Sequence, residues 1–386
     1  MEVRTSVVPE ARRILELARK DRRAAEQALA NLPLDTLVAA FCEAPAGRRA
    51  ALLELMPEPE RVIPLLPEAE LCFAVKASGL AEASWILEYA TPSQIVAGVD
   101  LDGWMGLELD LESVERWMAT LAEAGEKTMV RGAQALDPEL IVLYMRDRVD
   151  VYLDPKDEEW QPPEGAQTLE GQFYFVARRK DDDLAPLLKM LHALFTADYW
   201  LYFRMMQGVV WELESGLQEW SLRWRTGRLQ DLGFPSWDEA MALYGYVRPE
   251  RRGDLPAGPD PLDVEAWDFP VWVPELPVAR GEGHLLFSTA AELDESERRA
   301  FFYAFVRTAN KVAVADSMPL GDPDTLPAAI QRLASVASRG LQHIAKANHL
   351  GAVDVLRRAT LERLFRVGSS LEPPPDVSDL SDQSDG

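Results

Sequence analysis

X-Pro steps punctuate the first quarter of this chain, among them Leu32-Pro33, Ala44-Pro45, Met56-Pro57, Leu66-Pro67 and Thr91-Pro92. Proline lacks a backbone N–H and its ring clashes with the preceding turn, so it is tolerated at a helix start and disruptive inside one. Helices in this stretch are therefore limited to the short runs between the steps. Leu52, Leu53, Leu55 and Met56 precede one step, and Val62, Ile63, Leu65 and Leu66 precede the next. Apolar faces that short are marginal in water and must stack on neighbours. Residues 1–150 are thus expected to form an array of short stacked helices, with a step spacing too irregular for a standard repeat family.

The helix signals inside and after this array are local. Thr91 is placed to cap a helix opened by Pro92, and Asp137 one opened by Pro138. Leu111 to Met118 carries helix-spaced apolar residues, and Asp100-Leu101-Asp102-Gly103-Trp104 reads as a bend. Tyr152 to Glu164, acidic and proline-bearing, reads as a loop, followed by one short strand within 168–179 around Phe173-Tyr174-Phe175-Val176. An apolar helix is expected through about Phe203, and a continuing one over 205–225 with Trp211, Trp220 and Trp224. Ser236 and Glu239 form a capping box that completes a central helical region over 168–247.

Residues 248–290 read as a proline-rich linker or surface loop. A C-terminal helical region follows over 291–368, opened by a second capping box of Asp294 and Glu297. Its further helices are expected at roughly 325–348 and 351–366. Residues 369–386 contain five acidic residues, no basic ones and three consecutive prolines, the composition of a disordered acidic tail. The fold class expected is mainly α: the short-helix array, then a helical body with minor β content. At 386 residues the chain is long enough for two or three domains.

Formal charge excludes some functions. With 64 acidic against 40 basic residues the net charge is −24. That field repels phosphate backbones and anionic lipid, so general nucleic-acid binding is not expected. No run of eighteen apolar residues is present, so no membrane span is expected, and the N-terminus lacks the apolar core of a secretory signal. Cytoplasmic residence is the resulting expectation. Cys42 and Cys72 both sit among apolar neighbours and read as core residues.

Several segments resemble a known group of proteins. Asp100-Leu101-Asp102-Gly103-Trp104, Gly171-Gln172-Phe173-Tyr174, the run Trp224 to Pro235 and Ala309 to Asp316 are similar to a bacterial family defined only as a domain of unknown function. That resemblance spans roughly residues 10–350 and implies no activity, cofactor or catalytic residue. Within it, residues 30–105 resemble the helical intracellular domain at the N-terminus of a bacterial magnesium transporter. Leu32-Pro33-Leu34-Asp35, Met56-Pro57-Glu58 and Leu66-Pro67-Glu68-Ala69-Glu70 carry that likeness.

Two groups of residues stand out as candidate sites. Arg223, Arg225 and Arg228 with Asp231 place three guanidiniums over six positions, a geometry suited to carboxylate or phosphate. The same residues fit an arginine-rich helix end paired with surface acids, or a surface for a partner. Arg307, Asn310, Lys311 and Asp316 interrupt an apolar helix and are expected to form a polar network at a helix crossing. No metal site is expected: His192, His284, His343 and His349 include no i,i+4 pair, and His192 among apolar neighbours reads as packed. There is no phosphate-binding glycine loop and no nucleophile elbow, so no cofactor is expected.

The leading functional expectation is a protein–protein interaction or scaffold module with a protein partner whose identity the sequence does not name. Trp104, Trp117, the 223–235 segment and the acidic tail are its expected contacts. Whether the chain is an enzyme stays open. That alternative places a site between the helical regions and draws on Arg223, Arg225, Asp231, Asn310, Lys311 and Asp316. A module responding to a divalent cation through converging carboxylates is a further alternative.

Overall fold

The computed structural model describes residues 8–179, 183–255 and 283–371. Most of the 248–290 stretch and residues 372–386 of the expected tail lie outside the described residues. The protein is mainly α-helical, with short N-terminal helices and a larger helical body that carries two small β-hairpins. It divides into two compact units, one running to Leu232 and joined by Met318–Pro323, the other formed by the described residues from Gly233 onward without that segment.

The first unit begins with α1 (Val8–Lys20) and α2 (Arg22–Ala30). The proline-punctuated helices follow: α3 (Leu34–Glu43), α4 (Ala46–Leu53), α5 (Pro59–Val62), α6 (Glu68–Ser78), α7 (Ser84–Tyr89) and α8 (Pro92–Asp102). Pro33, Pro45 and Pro67 stand at the N-cap positions of α3, α4 and α6, and Pro92 opens α8. Each proline therefore occupies a place where its missing N–H leaves no bond unmade.

Buried polar side chains stitch these short helices together, because they leave many carbonyl ends to satisfy. Arg49 donates to the carbonyls of Cys42 (2.7 Å) and Ala44 (3.1 Å) and pairs with the buried Glu70 at 2.5 Å. Thr91 and Gln94 form a capping box at the start of α8, and the Gln94 amide also donates to the carbonyls of Ile63 and Leu66, each at 2.8 Å. Cys42 and Cys72 are buried free thiols, as their apolar neighbours implied, and burial pushes the Cys72 thiol well above its ordinary range.

After α8 the chain turns through a tight hairpin, β1 (Trp104–Met105) with β2 (Glu108–Leu109), into α9 (Leu111–Glu123) and α10 (Glu126–Ala135). Next come α11 (Pro138–Arg148), β3 (Val149–Leu153), β4 (Phe173–Ala177), α12 (Ala185–Ala197), α13 (Tyr199–Trp211) and α14 (Glu214–Asp231). β3 and β4 pair antiparallel, with Val151 opposite Phe175. The strand within 168–179 is thus present. Its partner corrects the expected loop, which begins after Leu153 and not at Tyr152, because the Tyr152 backbone pairs with Tyr174.

The expected continuous helix over 205–225 is two helices. α13 stops at Trp211 because Arg146 of α11 reaches its last carbonyls, donating to Gly208 (3.2 Å) and Val209 (2.9 Å) and also to Glu212. The helix expected through Phe203 likewise breaks at Asp198, whose carboxylate accepts from Leu201 N–H at 3.1 Å and starts α13. His192 is exposed and not packed, because Leu187, Met190, Leu191 and Leu194 define the buried side of α12 and turn it outward.

The second unit contains α15 (Trp237–Met241), α16 (Leu285–Ala290), α17 (Glu295–Ala315), α18 (Thr325–Asn348), α19 (Ala352–Leu356) and α20 (Leu361–Ser370). Capping boxes at Ser236/Glu239 and Asp294/Glu297 open α15 and α17 as their sequences foretell. The helix expected at 351–366 is divided at Thr360, whose hydroxyl accepts from Arg363 N–H, and α20 runs on to Ser370. α18 and α20 cross in backbone contact at Gly340 and Gly368. A Cβ built on either glycine would lie 1.9 Å from a carbonyl oxygen, that of Leu364 or of Val336.

Candidate functional site

α14 carries the first group of candidate residues, and helical geometry sorts them onto different sides. Arg225 and Arg228, three positions apart, share one face. Arg223 and Asp231 are exposed. The inward pair ends in a charged core whose other members come from distant parts of the first unit.

Arg225 is buried. Its Nε donates to the Asp100 carbonyl at 2.8 Å, its Nη1 donates to the Gly106 carbonyl at 3.0 Å, and its guanidinium lies 5.0 Å from the centre of the Trp104 ring. One side chain thus holds the last turn of α8 and the tip of the β1–β2 hairpin. Burial lowers its pKa to about 10, partly offset by Asp100.

Arg228 forks between two carboxylates. It donates to Asp100 Oδ2 (2.6 Å) and Oδ1 (2.9 Å), and to Asp137 Oδ1 (2.9 Å) and Oδ2 (2.6 Å). Burial works against its charge, but the bonds to Asp100 and Asp137 outweigh burial and hold its pKa above the ordinary arginine range. Asp100 is 1% exposed. Burial pushes its carboxyl up and the Arg228 bonds pull it down.

The geometry corrects one expectation at α11. Asp137 stands at the N-cap position, but its side chain makes no capping bond, because both carboxylate oxygens accept from Arg228. Asp100 and Asp137 are the residues that sequence reasoning missed. They lie 128 and 91 positions from Arg228, among 64 acidic residues, and no local pattern marks them as its partners.

The outward side of α14 carries exposed tryptophans. Trp224 is 49% exposed and Trp220 is 46% exposed. Their rings stack at 5.9 Å between centroids with 26° between planes, and the Arg223 guanidinium lies 5.2 Å from the Trp220 ring centre. Leu213 just before the helix and Trp211 at the end of α13 are exposed as well. Trp104 and Trp117, expected as contacts, are core residues: Trp104 lies under Arg225, and the Trp117 indole donates to Asp102 Oδ2 at 2.9 Å.

The second group, on α17, forms separate bonds within the second unit. The Asn310 amide donates to the Gly233 carbonyl at 3.0 Å. Lys311 pairs with Glu362 of α20 at 2.5 Å, and Asp316 accepts from the Tyr244 hydroxyl at 2.5 Å. Arg307 is exposed. Of the four residues named together by spacing, three therefore point to different neighbours and Arg307 to solvent. Among the described residues, no three His, Cys, Asp or Glu side chains converge as a metal cage, and no helix is long and apolar enough to cross a membrane.

The chain matches the family described as a family of unknown function (DUF6178) over residues 26–372, and it belongs to that family. No curated protein and no solved structure matches it.

Proposed function

We propose that this member of the family is a non-catalytic binding module that grips a protein partner with the tryptophan-bearing side of α14. The observation that carries the reading is the stacked Trp220–Trp224 pair, half exposed and flanked by Arg223. Leaving two indole rings in water forgoes their burial, and Trp and Arg are the side chains that most often dominate binding energy at protein interfaces. A neighbouring side of the helix is tied to α8, α11 and the β1–β2 hairpin through Arg225 and Arg228. The rings are thereby held in place before any partner arrives, which lowers the ordering cost of binding.

Other features agree with this reading. Arg225, Arg228, Asn310, Lys311 and Asp316 already have partners within the fold, which supports a binding role over a catalytic one. The surplus of acid supports a protein partner over nucleic acid. Two buried free thiols suit a reducing, cytoplasmic setting. The expected likeness of residues 30–105 to a magnesium transporter's helical domain has no support in the comparisons, and no cation-linked role is drawn from it.

The test compares wild type with a Trp220→Ala/Trp224→Ala variant of matched thermal stability, by affinity capture from cells that naturally make the chain. A photoreactive residue at position 223 identifies what touches the surface. A protein crosslinked at position 223 should lose about thirtyfold or more in affinity for the variant, as for a hot spot worth about 2 kcal/mol. If both forms retain the same proteins and nothing crosslinks at 223, the reading is wrong.

A further inference from the structure

In a chain of net charge −24, a concentration of arginine is an exception that asks for an acidic neighbour. The second unit contains one. The segment Tyr246–Arg252 carries Arg248, Arg251 and Arg252 around the short turn Pro249–Arg251, and α20 brings Arg363 and Arg366 beside it. Arg363 donates to the carbonyls of Arg251 and Asp254, which ties the two segments together. Burial holds the Arg363 pKa below the ordinary arginine range, with the nearby charges of Arg251 and Arg366 pushing the same way and Asp254 opposing them. Arg252 lies 5.7 Å from the ring centre of Tyr246, itself strongly exposed.

The acids within this patch do not cancel it. Asp254 pairs with Arg251 at 3.3 Å, and Glu362 is shared between Lys311 (2.5 Å) and Arg366 (3.7 Å). Glu250 is exposed on the same turn. The Nε of Arg366 is buried without a hydrogen-bond partner. Arg248 and Arg251 are exposed, and among the described residues five arginines of this surface stand against Glu250, Asp254 and Glu362.

The chain leaves α20 at this surface. The Ser370 hydroxyl accepts from Val247 N–H at 2.9 Å, one residue before Arg248. The residues that follow carry Glu372, Asp376, Asp379, Asp382 and Asp385 with no basic residue. From Asp376 on, the aspartates recur at every third position, directly after Pro373, Pro374 and Pro375. Tethered next to a basic surface, the segment would meet it at an effective concentration on the order of millimolar.

We propose that the acidic segment 372–386 docks onto the surface formed by Arg248, Arg251, Arg252, Arg363 and Arg366 of its own chain. The segment shields a basic patch on an otherwise acidic protein, and an acidic peptide from elsewhere would have to displace it. This inference concerns the second unit and stands or falls independently of the α14 surface.

Spin labels at Ser384→Cys and Glu250→Cys in the full chain test it, since Cys42 and Cys72 are buried. Docking predicts a population of short inter-label distances, independent of protein concentration and lost in about 1 M salt, where the screening length falls to about 3 Å. Replacing Asp376, Asp379, Asp382 and Asp385 by Asn leaves every described residue unchanged. It should lower the docked-to-free ratio about fifteenfold, as expected when four exposed ion pairs worth roughly a factor of two each are removed. Identical distance distributions before and after that replacement overturn the proposal. So does a short distance that appears only as protein concentration rises, which would assign the segment to a second copy.

Discussion

The two units solve the same problem, fixing long helices against one another, with opposite materials. In the first, α14 is oriented by charge: Arg225 and Arg228 reach across to Asp100, Asp137 and two backbone carbonyls. In the second, α18 and α20 meet where Gly340 and Gly368 let backbone touch backbone. Long arginine side chains act at a distance and in chosen directions, so they can join three separate elements at once. A glycine crossing joins only two, but it excludes any added atom. The first arrangement is sensitive to the loss of a charge and the second to the gain of a methyl group.

The largest effect is expected from Arg228→Ala. It leaves Asp100 buried without its bidentate partner, and breaking a buried pair from one side costs about 3–5 kcal/mol. Chemical denaturation would measure this; a loss below about 1 kcal/mol would mean that apolar packing, not charge, orients α14. Gly340→Ala comes next. Its Cβ would sit 1.9 Å from the Leu364 carbonyl oxygen, which is backbone and cannot swing aside. Overpacking of this kind costs about 1–3 kcal/mol. An unchanged denaturation midpoint would show that α18 and α20 can slide apart freely.

Smaller effects sharpen the contrast between buried and single-bond polar groups. Asn310→Ala should cost about 1–2 kcal/mol by stranding the Gly233 carbonyl, and a neutral result would show water replacing the amide. Asp294→Ala removes the α17 cap and should cost about 1 kcal/mol. Trp220→Ala/Trp224→Ala should stay within about 0.5 kcal/mol of wild type, because surface substitutions away from packed features rarely do more. A large stability loss there would mean that the rings serve the fold and not a partner.

How much of this was legible depended on sequence distance. The cap at Thr91 and the capping boxes at Ser236 and Asp294 are contained in four consecutive residues each, and all three form. The i, i+3, i+4, i+7 spacing of Val114, Trp117, Met118 and Leu121 marks the buried side of α9, so the expectation of Trp117 as a contact ran against a pattern already present in the sequence. The break after Trp211 had no local marker, because Arg146 imposes it from 62 to 66 residues away. Arg225 and Arg228 could be named as notable from their spacing, but not as buried or satisfied. Their acceptors are contributed by α8, the hairpin and α11.

What the sequence determined by itself was the kind of element at each place: short helices where prolines interrupt, capped helices where an acid or hydroxyl precedes an apolar run, and an acidic surface. These follow from interactions between residues a few positions apart, where chain connectivity already supplies the proximity. Tertiary structure alone decided which charges are buried together, that Asp137 serves Arg228 and not its own helix, and which tryptophans face water. Those outcomes depend on contacts across about a hundred residues, and their free energy exists only once packing has excluded water from the groups involved.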